Sequence, residues 1–390
     1  MTNPARLCAF NFGIQLVWGA VLAVSLQARS VELAHEDGVR AYATIAAIGA
    51  MIATIVQLCA GVLADRRRKS VGNRQAFYLA GMTLAVPSLV WFYLAPSWPQ
   101  LLAAFFSLQF TLNIAGGPYQ AAIPDYIPRE RRGLASGWMG AYQSAGNAAG
   151  LIVAGFVHDL RFVALALAAP LIASWAVTFA HLRGRAGIVA DPPSGVSASH
   201  ALVVLLCSRG FINIGFFTLL GFLLFYVQQS LGITDANALT RLTALLFLSF
   251  TLAAIGGAAL AARPVDRRDK RLVVTVACCT IALALAVLAM APSLAFAFPA
   301  AALAGLAWGA FVTADWALAA IVLPQRAMAT TMGIWNIATA LPQVVAPLLT
   351  LPLVLRFNEI AAGSGPRAAI VLSLVEFLAG GTLIWRLPRV

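Results

Sequence analysis

Runs of about 20 or more mostly apolar residues, the length a helix needs to cross a bilayer, recur along this chain with short polar connectors between them. They cover residues 7–28, 41–64, 76–95, 99–123, 135–157, 162–181, 201–229, 243–262, 271–291, 294–322, 328–353 and 368–387. The pattern predicts an all-α integral membrane protein with twelve transmembrane helices. The first run follows Arg6, where a secretory signal would sit. It is too long for one, carries Asn11, Gln15 and Trp18, and lacks an A-x-A cleavage site, so it counts as the first span.

The one long polar interruption is central: Gly184, Gly187, Asp191-Pro-Pro-Ser-Gly195, Ser197 and Ser199. It separates six spans from six, giving an N-terminal bundle over 1–182, a cytoplasmic linker over 183–200 and a C-terminal bundle over 201–390. The halves also repeat. Gly61 and Gly257, Pro128 and Pro324, and Gly137 and Gly333 are each 196 positions apart at matching places in the span pattern. Two related six-helix bundles are the expected architecture, with a solute site near mid-membrane.

Composition supports the membrane reading. The 390 residues are 61% hydrophobic and 10% charged, against about a quarter charged in soluble domains. A net charge of +12 could serve nucleic acid, but the cations sit in the connectors and not on one amphipathic face. With the N-terminus inside, the inner connectors and tails hold nineteen Arg and Lys and the outer ones six. Both termini are therefore expected in the cytoplasm, with the chain in the cell (inner) membrane. Cys8, Cys59, Cys207, Cys278 and Cys279 lie in or beside apolar runs without metal-ligand spacing, so neither a disulfide framework nor a metal site is expected.

The connector after span two reads Gly61-Val-Leu-Ala-Asp65-Arg-Arg-Arg-Lys69, then Gly72-Asn73-Arg74. Gly61, Leu63, Ala64, Asp65 and Arg66 resemble the G-x-L-a-D-r-x-G-r-[RK] signature of the major facilitator superfamily. Arg68 stands where that signature has its second glycine. The Gly-x-Arg displaced to Gly72 is more similar to the glycoside and sucrose symporter branches. A second stretch, Asp125-Tyr-Ile-Pro128-Arg-Glu-Arg-Arg132-Gly133-Leu-Ala-Ser136-Gly137, is similar to the superfamily's turn between spans four and five. The resemblance implies the major facilitator fold, two pseudo-symmetric six-helix bundles whose spans one, four, seven and ten line the cavity. It also implies a gating role for Gly61, Asp65, Arg66, Arg68, Asp125 and Arg132. Asp65 is expected to cap a neighbouring helix and pair with an arginine of the 129–132 turn. In the second half the basic connector is degraded, with Ala261 at the position matching Asp65.

Polar side chains inside spans are costly, so their helical phase is informative. Asn11, Gln15 and Trp18 share a face of span one, and Gln109, Asn113 and Gln120 a face of span four, near Tyr119. Span five offers Gln143 and Asn147, span seven Arg209 and Asn213, span ten Trp308 and Asp315, and span eleven Asn336, Thr339 and Gln343. Amides pair with hydroxyls and indoles cover apolar sugar faces, so Asn11, Gln15, Trp18, Asn113, Tyr119, Gln143, Asn147, Asn213, Trp308, Asp315 and Asn336 are the substrate-binding candidates. The alternative for each amide is a helix-to-helix bridge worth about 1 kcal/mol. Asp315 and Glu376 are the acids well inside spans and the candidates for proton coupling; Arg209 is the intramembrane partner for Asp315. Span two has no acid, which argues against the sodium site of the glycoside symporters.

The expected function is secondary active transport of a small polar organic solute, a sugar or glycoside, by alternating access with proton coupling. The protein would act as a monomer in the lipid bilayer without cofactor. The alternative is a proton-coupled exporter of drugs or amphipathic metabolites, because Gly137, Gly146, Gly150 and Gly155 are spaced as in the antiporter signature. Leu151 and Ala154 depart from that signature, and close helix packing explains small residues equally well. An enzyme is not expected: His35, His158, His181 and His200 lie at span ends, and no H-E-x-x-H occurs. Nor is a transport-dead sensor, which would carry an extra soluble domain.

Overall fold

The computed structural model describes residues 2–71, 74–128, 132–185, 200–322 and 328–387. In the described residues the long elements are helices: α1 Pro4–Ala34, α2 Gly38–Val71, α3 Gln75–Leu94, α4 Trp98–Tyr119, α5 Arg132–Phe156 and α6 Leu160–Leu182. The series continues with α7 His200–Ser230, α8 Ala236–Arg267, α9 Lys270–Met290, α10 Leu294–Val322, α11 Met328–Ile360 and α12 Ser364–Leu383. Eleven contain a stretch long and apolar enough to cross a membrane. The other is α5, 25 residues long, whose glycines, Gln143 and Asn147 dilute its apolar character. The fold class is the one the hydrophobic pattern predicts.

The few acids in the connectors start helices. Asp159, Asp235 and Asp269 accept from the backbone N–H groups of Arg161, Ala238 and Arg271 at 2.8, 2.7 and 3.0 Å, the N-cap arrangement that satisfies otherwise unpaired donors. Asn3 does the same for α1, with Pro4 as its first residue.

One expectation needs correction. The stretch Gly61–Lys69 is not a connector: α2 runs through it to Val71. The second basic stretch is likewise helical, as far as Arg267. Ala, Leu and Arg are strong helix formers, and no proline interrupts Gly61–Val71, so the helix outlasts its apolar run.

The chain divides into two compact units, Met1–Pro192 and Pro193–Val390. In the first, α1 packs on α5 and α6, α4 on α2 and α3, and α3 on α6. In the second, α7 packs on α11 and α12, α10 on α8 and α9, and α9 on α12. Each helix of the first unit thus has the partners of the helix six places later in the second. The likeness reaches local irregularities. A π-helical turn interrupts α1 at Val21–Ser25 and ends α7 at Tyr226–Ser230. Near the first, Ser25 Oγ lies 2.8 Å from Tyr93 OH on α3. At the second, Tyr226 OH donates to Leu288 O on α9 at 2.7 Å.

Small residues set the helix spacing. A Cβ added at Gly257 of α8 would lie 1.8 Å from Leu306 O, and one at Gly305 or Gly309 of α10 would lie 2.0 Å from Phe250 O or 1.9 Å from Ala254 O. Large apolar side chains such as Ile55, Leu58, Leu84, Phe110, Leu252 and Leu283 point outward. Lipid tails are as apolar as these side chains, so their exposure in a bilayer is not penalised.

Candidate functional site

In the first unit the polar residues of the spans fall into two groups. Asn11, Asn113 and Tyr119 are buried and committed to neighbouring groups. Asn11 Nδ2 donates to Met139 O on α5 at 2.9 Å, and Tyr119 OH donates to Leu7 O on α1 at 2.9 Å. Asn113 accepts from Gln57 Nε2 of α2 at 2.6 Å and donates to Gln109 within α4. These three bond backbone or side-chain groups that hydrocarbon would otherwise leave unpaired, which is the bridging role.

The second group is open. Gln15 and Asn147 are half-buried and Gln143 is exposed; none of the three has a hydrogen-bond partner among the described residues. They meet where α1 crosses α5, because Gly146 lets the helices close: a Cβ there would lie 2.5 Å from Phe12 O and 3.0 Å from Gln15 Cβ. Gly150 approaches α1 as closely, its Cβ position being 2.2 Å from Leu16 O. Packing thus accounts for these two glycines of the antiporter-like row. Trp18, one turn along α1 from Gln15, is half-buried. Three uncommitted amides beside an indole can bind hydroxyl groups and cover an apolar ring face.

Where the two motifs meet, Arg74 Nη1 lies 2.9 Å from Asp125 Oδ2, both side chains buried. Arg74 immediately precedes α3, and Asp125 sits in a five-residue helix, Ala122–Tyr126, after α4. Asp65, Arg68 and Arg132 lie outside the described side chains. Arg66 is exposed, and a Cβ on Gly61 would meet nothing within 4 Å. Arg74 was not among the residues expected to pair with Asp125, although the displaced Gly72-Asn73-Arg74 is its signal. Removing one member of a buried pair strands the other charge. Arg74→Gln and Asp125→Asn should therefore each lower thermal stability, and the double variant should cost less than their sum. Strictly additive losses would show that the two do not act as a pair.

The second unit holds a charged cluster. Arg209 of α7 pairs through Nη1 with Asp315 Oδ2 of α10, and Nη2 donates to Thr339 Oγ1 of α11 at 3.1 Å. Its guanidinium carbon lies 4.0 Å from the centre of the Trp335 ring, a cation–π distance. Asn213, one turn along α7, donates to Arg209 O and to Ala338 O at 2.9 and 3.1 Å. The side chains of Arg209 and Asp315 are 13% and 4% exposed, so the pair is held away from bulk water. Two turns on along α7 and two turns back along α10, Trp308 stacks on Phe216 with centroids 4.5 Å apart.

Glu376 of α12 is also buried, with Oε2 unpartnered. Near it Ser373 donates to Gly215 O at 2.7 Å, so this stretch of α12 is tied to α7 by polar bonds. Asn336 lies outside the described side chains. Thr339 and Trp335 were not singled out as partners of Arg209. Among the described residues, no group of three or more His, Cys, Asp or Glu could hold a metal ion.

Comparison with known proteins agrees with this architecture. The family profile described as Major Facilitator Superfamily matches residues 7–347. Among solved structures, the chain is similar to a bacterial homologue of the human lysosomal transporter Spinster, inward-facing and unoccupied, at 16% identity. That match covers 99% of this chain and 97% of the other, with a TM-score of 0.74. The same homologue, inward-facing and occupied, is similar at 17% identity over 98% and 95%, with a TM-score of 0.74. A single-substitution variant of the nucleoside transporter NupG gives 10% identity over 99% and 100%, with a TM-score of 0.74. At these identities the likeness is one of fold. No curated protein sequence matches the chain.

Proposed function

We propose, from the premise that the chain belongs to the Major Facilitator Superfamily and is a secondary transporter, that it moves a small polar organic solute by alternating access, coupled to protons. The observation that carries the coupling is Asp315, a buried carboxylate bound to Arg209 of a different helix. An acid in that position is a functional candidate by default. Taking a proton would cancel its charge and loosen its hold on Arg209, a local change that can bias movement of the helices. The hydroxyl-rich character of the solute, a sugar or glycoside, is supported by Gln15, Gln143 and Asn147 beside Trp18. The protein works as a multi-pass monomer of the cell (inner) membrane. Its cation distribution supports cytoplasmic termini.

Proteoliposomes carrying a pH-sensitive dye provide the test, with sugars, glycosides and nucleosides added in turn. A transported solute should drive proton movement in its own direction and lose its accumulation when a protonophore is added; opposed fluxes would instead mark an exporter. Gln143→Ala and Asn147→Ala should each raise KM by roughly 2–10-fold, the worth of one hydrogen bond, without lowering kcat. Accumulation that survives the protonophore would reject proton coupling.

A further inference from the structure

The Arg209 cluster contains two buried N–H donors with no acceptor. Arg209 uses Nη1 on Asp315, Nη2 on Thr339 and its flat face on Trp335, while Nε has no partner. Trp335, 1% exposed, leaves Nε1 unpartnered as well. Buried unpaired donors are rare in folded proteins, and here two belong to groups stacked on one another. Asn213 already takes the carbonyls of Arg209 and Ala338. Among the described residues no acceptor faces either donor.

Charge decides what kind of acceptor fits. Arg209 and Asp315 cancel, so an incoming anion alone would leave one uncompensated negative charge in a poorly solvated place, which is expensive. An anion arriving with a proton leaves the total unchanged. The neighbouring helices bring no substitute charge among the described residues. On α8, Arg263 is exposed. On α9, Arg271 is closed on Asp269, and Lys270 lies at the helix start. On α12, Glu376 lies beside Thr218, about 13 Å along α7 from Arg209. Thr339 and Trp335 on α11 are uncharged.

We propose that the solute carries a carboxylate or phosphate that accepts from Arg209 Nε and Trp335 Nε1, and that it binds together with one proton, taken up by Asp315. This rests on the proton-coupled reading above and narrows its solute to an organic acid. In the step, an O–H bond of a hydronium ion breaks as one forms on Asp315, leaving a water molecule. The Arg209–Asp315 ion contact gives way to one between Arg209 and the solute anion. Release reverses both changes. Charge-assisted hydrogen bonds to a guanidinium, which are stronger than neutral ones, favour an anion over a neutral carbonyl.

The test uses the full-length protein in detergent and matched probes: glucuronate against glucose, glucose 6-phosphate against glucose, and inorganic phosphate alone. Binding is read by calorimetry in buffers of different ionisation heat, which also counts protons. The anionic member of each pair should bind and the neutral one should not, with one proton taken up per anion. Trp335→Phe keeps the ring and removes one orphan donor, while Arg209→Lys keeps the charge and removes the other. Each should weaken anion binding by roughly tenfold or more. The inference is overturned if no probe anion distinguishes wild type from either variant, or if neutral and anionic members bind alike. Proton-driven uptake of glucose indifferent to Trp335→Phe would overturn it while leaving the proposed function intact. Anion binding sensitive to both variants but without proton uptake would overturn the proton-coupled reading and the proton half of this inference.

Discussion

Asp315→Asn is expected to abolish accumulation of solute against a gradient while leaving solute exchange measurable. The carboxylate lies on α10, 4% exposed, and its partner Arg209 lies on α7. Asn retains the shape and an acceptor oxygen for Arg209 but can neither hold a negative charge nor take up a proton. A transporter locked in the neutral form of this side chain would carry solute down its gradient and lose the link to protons. Stability should fall too. Removing one charge of a buried pair typically costs about 3–5 kcal/mol, because the other remains desolvated and uncompensated. The retained oxygen of Asn should keep the loss towards the low end of that range, and Asp315→Leu should reach the high end. Replacing both partners with Leu should recover much of the loss, since well-packed apolar pairs often match buried ion pairs. That double variant would be stable and inactive. The measurements are apparent Tm in detergent, counterflow, and energised uptake in proteoliposomes. If Asp315→Asn still concentrates solute, Asp315 is not the coupling group.

Gly257→Ala should damage the second unit strongly, while Gly256→Ala one position earlier should be harmless. A Cβ at Gly257 would lie 1.8 Å from Leu306 O on α10, a backbone atom, whereas one at Gly256 meets nothing within 4 Å. Overpacking typically costs about 1–3 kcal/mol. Backbone on a packed helix cannot step aside as a side chain can, so the upper part of that range applies. For a unit of this size that is a fall of roughly 5–10 °C in apparent Tm. Gly256→Ala removes a flexible residue from a helix without a clash and should hold or raise Tm, by up to about 1 kcal/mol of helix propensity. Equal effects of the two substitutions would refute this account of the α8–α10 contact. In the first unit, Gly61→Ala should behave like Gly256→Ala, since its Cβ position is also open.

The pair Gly61 and Gly257 marks the boundary between pattern and packing. Their spacing of 196 residues was visible in the chain and belongs to a repeat that the packing scheme of the two units reproduces. What each glycine does was not visible: one stands in open space and the other lets two backbones touch. The sequence by itself determined the helices, because a bilayer demands about 20 apolar residues per crossing and that demand is met run by run. It also located the scarce polar groups, since each is conspicuous against hydrocarbon. It could not sort them. Asn11 and Gln15 lie one turn apart on the same face of α1, yet Asn11 is committed to Met139 O and Gln15 is not. The difference depends on which backbone atom of α5 arrives opposite each, and so on the depth to which Gly146 and Gly150 let α5 approach. The length of the basic stretch was misread for a related reason, because hydropathy marks where hydrocarbon ends and not where a helix does. The ion pair was half legible: Asp315 and Arg209 stood out as intramembrane charges. Thr339 stood out as a polar residue of span eleven, but only the tertiary structure paired it with Arg209 and added Trp335, both brought from more than a hundred residues away. Helix formation and burial are written in local spacing, whereas the partner of a buried polar group is set by the close approach of segments distant in the chain.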